Sequence, residues 1–168
     1  PAGSDERPLM VIDPAYTNYI SFAERLGRKI VTITRYMDED GKFNLPDMEE
    51  VEEAIKKHKP GALLVIPYDN PTGQYYTYDL LKDLARLCVK YNMWLASDEA
   101  YRELYYTGDE KLVSIWGLSD EDVPGIEGRR ISIETASKVW NACGLRIGAV
   151  ITDNKEFHTR CVAEYTAN

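Results

Sequence analysis

"ALLVIPYDNPTGQYYTYDLLKDLARLCVKYNMWLASDEAY", residues 62–101, decides the fold class of this chain. The segment opens on a short apolar run (62–67), passes through a polar loop, and ends on a second apolar run (93–98). Between the runs, Leu80, Leu81, Leu84, Leu87 and Cys88 recur at helical spacing along one stripe, and Thr77 stands where an N-cap belongs. Near-continuous apolar runs of this length are the signature of strands covered on both faces, as in a parallel sheet. Strand, helix and strand in that order predict one unit of an α/β layer fold.

The same alternation extends in both directions. Residues 8–13, 29–34, 130–135 and 147–152 are further strand-like runs. In 17–27, Tyr19, Phe22, Ala23 and Leu26 share a helical face that Gly27 closes. In 45–61, Met48, Val51, Ala54 and Ile55 do the same, with Asp47 and Glu50 spaced as a capping box and Lys56, Lys57 and Lys59 crowding the end. The prediction is a three-layer α/β/α domain around a mostly parallel sheet. Residues 99–129 lack a clean strand and are expected to hold a short helix around 113–118 among surface loops. Cys88 reads as a small core residue. The chain starts at Pro1, and "KEFHTRCVAEYTAN" (155–168) reads as a helix without a stop signal, so a piece of a larger protein is expected.

Composition narrows the function classes. A formal net charge of −8 leaves no basic stripe for a phosphate backbone, so no nucleic-acid partner is expected. No apolar run approaches the ~20 residues that span a bilayer, and the start "PAGSDERP" is polar, so neither membrane nor signal peptide is expected. The three cysteines show no C-x-x-C spacing; a zinc site or disulfide framework is disfavoured and a reducing cytoplasm fits. With two histidines, His58 and His158, histidine catalysis and metal chemistry start low. No G-x-G-x-x-G or Walker loop follows any strand.

In α/β folds ligands gather where loops leave the carboxyl ends of the strands. Four such ends carry "DPAYTNY", "YDNPTG", "DEAY" and "TASK", delivering Tyr16, Asn70, Asp98, Tyr101 and Lys138 to one edge. Taken singly each has an ordinary explanation. "NPTG" makes a tight turn, Asp98 caps a helix start, Tyr16 is a half-buried aromatic, and Lys138 is a surface charge. Caps and turns do not explain an aspartate, a tyrosine, an asparagine and a lysine arriving together.

The set "NPTG" (70–73), "SDEAY" (97–101), "SK" (137–138) and "GLRIG" (144–148) resembles the class I/II aminotransferases, pyridoxal-phosphate enzymes of the aspartate-aminotransferase (fold type I) architecture. The resemblance is ordered and covers residues 14–148. It implies that Lys138 forms a Schiff base with the cofactor aldehyde and, once displaced by substrate, carries the Cα proton. It implies that Asp98 pairs with the pyridine nitrogen, which makes the ring an electron sink. Asn70 and Tyr101 would bond the ring's phenolic oxygen, Tyr16 would cover a ring face, and Arg146 would grip the phosphate with Thr135 and Ser137 as hydroxyl donors. The substrates implied are an amino acid and a 2-oxo acid, and the parent protein is expected to be a homodimer. "DPAYTNY" suggests an aspartate-type member by analogy.

The chain departs from the family's pattern in places. Thr135 stands where the family often has serine, which keeps the hydroxyl. Trp140 follows the lysine, where it shapes an entrance or simply packs. By resemblance the chain is the central part of the cofactor-binding large domain. The glycine-rich phosphate turn, the carboxylate-binding arginine of a C-terminal small domain and a partner-subunit tyrosine are expected outside it. The piece alone is then expected to be inactive, with weakened cofactor affinity. Two other readings stay open on these residues: another fold type I enzyme (a C–S lyase, decarboxylase or synthase), and a non-catalytic domain that kept the fold. The retained lysine argues against the second.

Overall fold

A computed structural model describes residues 4–45, 47–104, 106 and 112–167. The strands in chain order are β1 (Leu9–Asp13), β2 (Ile30–Thr34), β3 (Tyr36–Met37), β4 (Phe43–Asn44), β5 (Ala62–Val65), β6 (Trp94–Asp98), β7 (Arg130–Thr135) and β8 (Gly148–Thr152). The helices are α1 (Asn18–Arg25), α2 (Met48–His58), α3 (Tyr78–Lys90) and α4 (Lys155–Thr166). Each of the six apolar runs contains a strand of one sheet, ordered β2-β1-β5-β6-β7-β8. The β1–β2, β1–β5, β5–β6 and β6–β7 pairs are parallel, and β8 runs antiparallel to β7. The β3–β4 hairpin was not foreseen, since two strands of two residues each are too short to show a period.

Alternation along β6 reveals the layers. Leu95 and Ser97 are fully buried on one face, in the core where Val51 and Ile55 of α2 meet Leu81, Leu84, Ala85 and Cys88 of α3. Burial pushes the Cys88 thiol up to about 12, in keeping with its reading as a small core residue. Trp94 and Asp98 point to the other face: Trp94 stacks against Phe157 of α4 at 5.5 Å, and Asp98 meets Tyr19 of α1. The sheet thus lies between α2 and α3 on one side and α1 and α4 on the other, as the three-layer reading requires.

Local signals act where the sequence put them. Thr77 accepts from Leu80 N–H (3.1 Å), Asp47 from Glu50 N–H (2.9 Å), and Asn154 from Phe157 N–H (2.8 Å). The helix expected near 113–118 is one 3₁₀ turn, Ile115–Gly117, capped by Ser114 and anchored by buried Val113, Ile115 and Leu118. Part of the loop expected in 99–129 falls on residues 105 and 107–111, outside the described residues. The apolar face of α1 is only partly used: Ala23 is buried, whereas Phe22 and Leu26 are 52% and 72% exposed.

Candidate functional site

Sheet direction explains why the polar residues converge. Parallel β1, β5, β6 and β7 all end at the same edge, so the loops carrying Tyr16, Asn70, Tyr101 and Lys138 leave from it. The antiparallel β8 begins at that edge, with Gly148 opposite Thr135, and this brings Arg146 back to it. Glycine is required there. A Cβ on Gly148 would stand 2.7 Å from the Glu134 carbonyl oxygen, so any side chain would force β8 off β7. The chain also steps from β1 outward to β2, then across to β5, which makes the β1/β5 crevice a switch point where such sheets bind ligands.

Asp98 is held from two sides, by a short hydrogen bond from the Tyr19 hydroxyl to Oδ2 and by Ala100 N–H to Oδ1 at 2.9 Å. Burial and the Asp98 charge push the Tyr19 phenol well above its usual range, so it is a donor at every working pH. Tyr16 packs its ring edge-on to Tyr19 at 6.0 Å, and its hydroxyl accepts from Asn18 at 2.8 Å. Lys138 Nζ stands 5.3 Å from the centre of the Tyr101 ring. Tyr101 and Asn70 line one cleft of about 440 Å³ with Tyr68, Pro71 and Tyr75. Thr135, Ser137 and Arg146 line a second of about 370 Å³. Within it the Thr135 and Ser137 hydroxyls bond at 2.8 Å, and Ser137 N–H donates to Thr135 at 3.1 Å. Arg146 folds back onto its own turn, donating to the Cys143 carbonyl at 2.9 Å, with φ at 53°. Trp140 is 76% exposed, so it does not pack as a core residue here.

Beneath Asp98 and Tyr101 lies a buried polar layer that the sequence reading passed over. Glu99 Oε1 accepts from Ser97 (2.9 Å), Ser114 (3.1 Å) and Ile115 N–H (3.2 Å), and burial raises its pKa. Arg102 forks onto Glu134 at 3.0 and 3.3 Å, and Ser132 links Glu134 to the Trp116 indole. This layer pins the turn that carries Tyr101. Three further residues were missed, Tyr19 and the buried pair Arg35–Asp69. Tyr19 was read only as part of an apolar stripe. The signal for Arg35 and Asp69 was available, since both are charged residues just past the end of an apolar run.

The chain belongs to the family described as aminotransferase class I and II, whose profile matches residues 3–164. It is 35% identical over 147 residues to the LL-diaminopimelate aminotransferase of Aquifex aeolicus, a match covering 86% of this chain and 34% of that protein. Its structure superposes on a double mutant of Thermus thermophilus aspartate aminotransferase with a TM-score of 0.71 at 28% identity, over 93% of this chain and 36% of that one. The fold is also that of cystalysin from Treponema denticola, solved with a pyridoxal 5'-phosphate cofactor. There the TM-score is 0.83 at 20% identity, over 98% of this chain and 40% of that one. The chain spans about a third of the length of the curated relatives it matches. No helix among the described residues is long and apolar enough to cross a membrane.

Proposed function

We propose that this chain holds pyridoxal 5'-phosphate and that its protein is an aminotransferase, moving an amino group between an amino acid and a 2-oxo acid. One observation carries the reading: an amine (Lys138) and a clamped carboxylate (Asp98) stand at one sheet edge, with Tyr101 between them in the chain and under the lysine in space. The donor set suits that cofactor's functional groups. Bound there, the cofactor supplies an electron sink for charge developing at Cα, and the protein decides which bond breaks.

Each residue then has a task of its own. Lys138 Nζ attaches the cofactor and moves the Cα proton. Asp98 holds the proton on the ring nitrogen, and Tyr19 and Ala100 N–H fix that carboxylate in place. Asn70 and Tyr101 would bond the cofactor's phenolic oxygen, and Tyr16 would cover a ring face. Arg146, Thr135 and Ser137, which share one cavity, take the phosphate, with Arg146 swinging off the Cys143 carbonyl to do so. Relatives at 30% identity and above carry transaminase or aminotransferase names, whereas C–S lyases are among those that share the fold at lower identity. We further propose that the chain is the central part of a cofactor-binding large domain in a homodimeric protein. A reducing cytoplasm is proposed as its compartment, supported by three free cysteines.

The test is addition of pyridoxal phosphate, borohydride reduction and peptide mass mapping. A pyridoxyl group on Lys138, absent in Lys138→Ala, is the expected result. Labels scattered over surface lysines, at the same yield in Lys138→Ala, would overturn the reading.

A further inference from the structure

We propose that Arg35 and Asp69 form a strap that fixes the loop after β1 to the loop after β5, and so sets the spacing of Tyr16 and Asn70 across the crevice. The inference rests on the cofactor reading above for its purpose and on the chain's own geometry for its existence.

The two loops belong to neighbouring strands, since β1 pairs with β5 from Leu9 with Ala62 to Val11 with Leu64. Beyond that register the ladder ends, and each loop departs carrying one residue nominated for the cofactor. Arg35 sits just past β2, where its own N–H donates to the Asp13 carbonyl at 2.7 Å. Its guanidinium then divides. Nη2 donates to the Pro14 carbonyl, two residues before Tyr16, and Nη1 pairs with Asp69 Oδ2 at 2.8 Å, one residue before Asn70. Asp69 organises the second loop in turn. Its side chain accepts from the Thr72 hydroxyl and from Thr72 N–H at 3.3 Å, its carbonyl accepts from Gly73 N–H at 2.9 Å, and its own N–H donates to the Gln74 carbonyl at 3.0 Å. Gly73, at φ 70°, supplies the left-handed turn that lets this loop close on itself.

The pair is deeply buried, its side chains 4% and 2% exposed. Arg35 Nε is buried with no hydrogen-bond partner. A buried ion pair with an unsatisfied donor is a poor device for stability, because desolvation offsets most of the attraction, and an apolar pair of similar volume does as well or better. What an apolar pair cannot do is fix direction. A forked guanidinium bonded to a carboxylate on one loop and a carbonyl on the other defines both distance and angle between them. Arg35 and Asp69 are therefore positioning residues that act on Tyr16 and Asn70 through the backbone.

The experiment compares the wild-type chain with Arg35→Lys, Arg35→Met and the charge-free pair Arg35→Met/Asp69→Asn. The double variant leaves no lone buried charge and keeps the test open if Arg35→Met does not fold. Residue-resolved hydrogen exchange on the cofactor-free chain reads the strap directly. The expected result is that the amides of Thr72 and Gly73 in one loop and Tyr19 beside the other exchange at least about tenfold faster without Arg35, while those of Leu84 and Ala85 in α3 keep their rates. Arg35→Lys, which keeps the charge but loses the fork, should fall between. Unchanged loop exchange in the double variant overturns the strap. Titration with pyridoxal phosphate, read by its absorption, then asks what the strap is for: affinity should fall about tenfold or more in the double variant. Loosened loops with unchanged affinity overturn the positioning role. Absence of a pyridoxyl group on Lys138 both in this chain and in the full-length protein sinks the cofactor reading instead, and the exchange data alone then decide the strap.

Discussion

Tyr19 shows how a single residue was misread for good local reasons. Three positions after Tyr16 and on the same helical face as Phe22 and Ala23, it fits an apolar stripe, and its hydroxyl is invisible to periodicity. Its partner Asp98 lies 79 residues on. A buried phenol needs a partner, and a carboxylate proposed to hold a proton on a bound ring would need to be fixed, so the pair suits both. Tyr19→Phe should leave the fold intact and weaken pyridoxal phosphate binding about tenfold, the typical weight of one hydrogen bond to a charged group. Fluorescence titration against the wild type measures this, and equal affinities would show that Ala100 N–H alone suffices to hold Asp98. Most of the other nominated residues were legible because they obey a rule of position: polar side chains at or just past the end of an apolar run, whereas Arg146 precedes one and was legible only in "GLRIG". Arg35 and Asp69 obey the same rule, and were passed over because neither belongs to a motif.

At the scale of elements, α2 and α3 were both readable, caps included, but not the clamp between them. Glu52 Oε1 takes a 2.6 Å bond from Lys90 Nζ and another from the Tyr91 hydroxyl, with Lys56 at 3.6 Å. These bonds, the one from Lys90 first, draw its carboxyl down from 4.5 to about 2. A group whose folded pKa is depressed stabilises the fold above its unfolded pKa, and that contribution disappears as pH falls through the folded value. The urea midpoint should therefore decline between pH about 4.5 and about 2, and Glu52→Gln should flatten that decline. A variant whose pH profile overlays the wild type would remove Glu52 from the account. Glu99 works in the opposite sense: its pKa is raised by burial, so its contribution is greatest when protonated and is lost as pH rises through the folded value.

The whole molecule carries an uneven surface. One face of the sheet is sealed by α2 and α3, but β8 is an edge strand with Val150 and Ile151 exposed at 59% and 43%, beside Val162 and Tyr165 of α4. Unpaired strand edges with apolar side chains are templates for association. The chain on its own should associate with rising concentration, and Val150→Lys should reduce this in light scattering while leaving the unfolding midpoint within about 0.5 kcal/mol in stability. Equal scattering from both proteins would place the association elsewhere, with Phe22 of α1 and Leu26 at its C-cap the next face to change.

By itself the sequence determined the order of the six strands of the main sheet and of the four helices, the Asp47 and Thr77 caps, and which polar residues follow which strand. These are written in continuous apolar runs, in a period of 3.6 and in nearest-neighbour chemistry, which a chain carries locally. Only the tertiary structure decided that β8 turns back against β7 and returns Arg146 to the edge that Thr135 leaves, that Tyr19 reaches Asp98, and that Arg35 spans two loops. Each of these joins segments distant in the chain, and the sheet's strand order, with Gly148 allowing close approach and burial excluding water, selects such partners from the many the sequence offers.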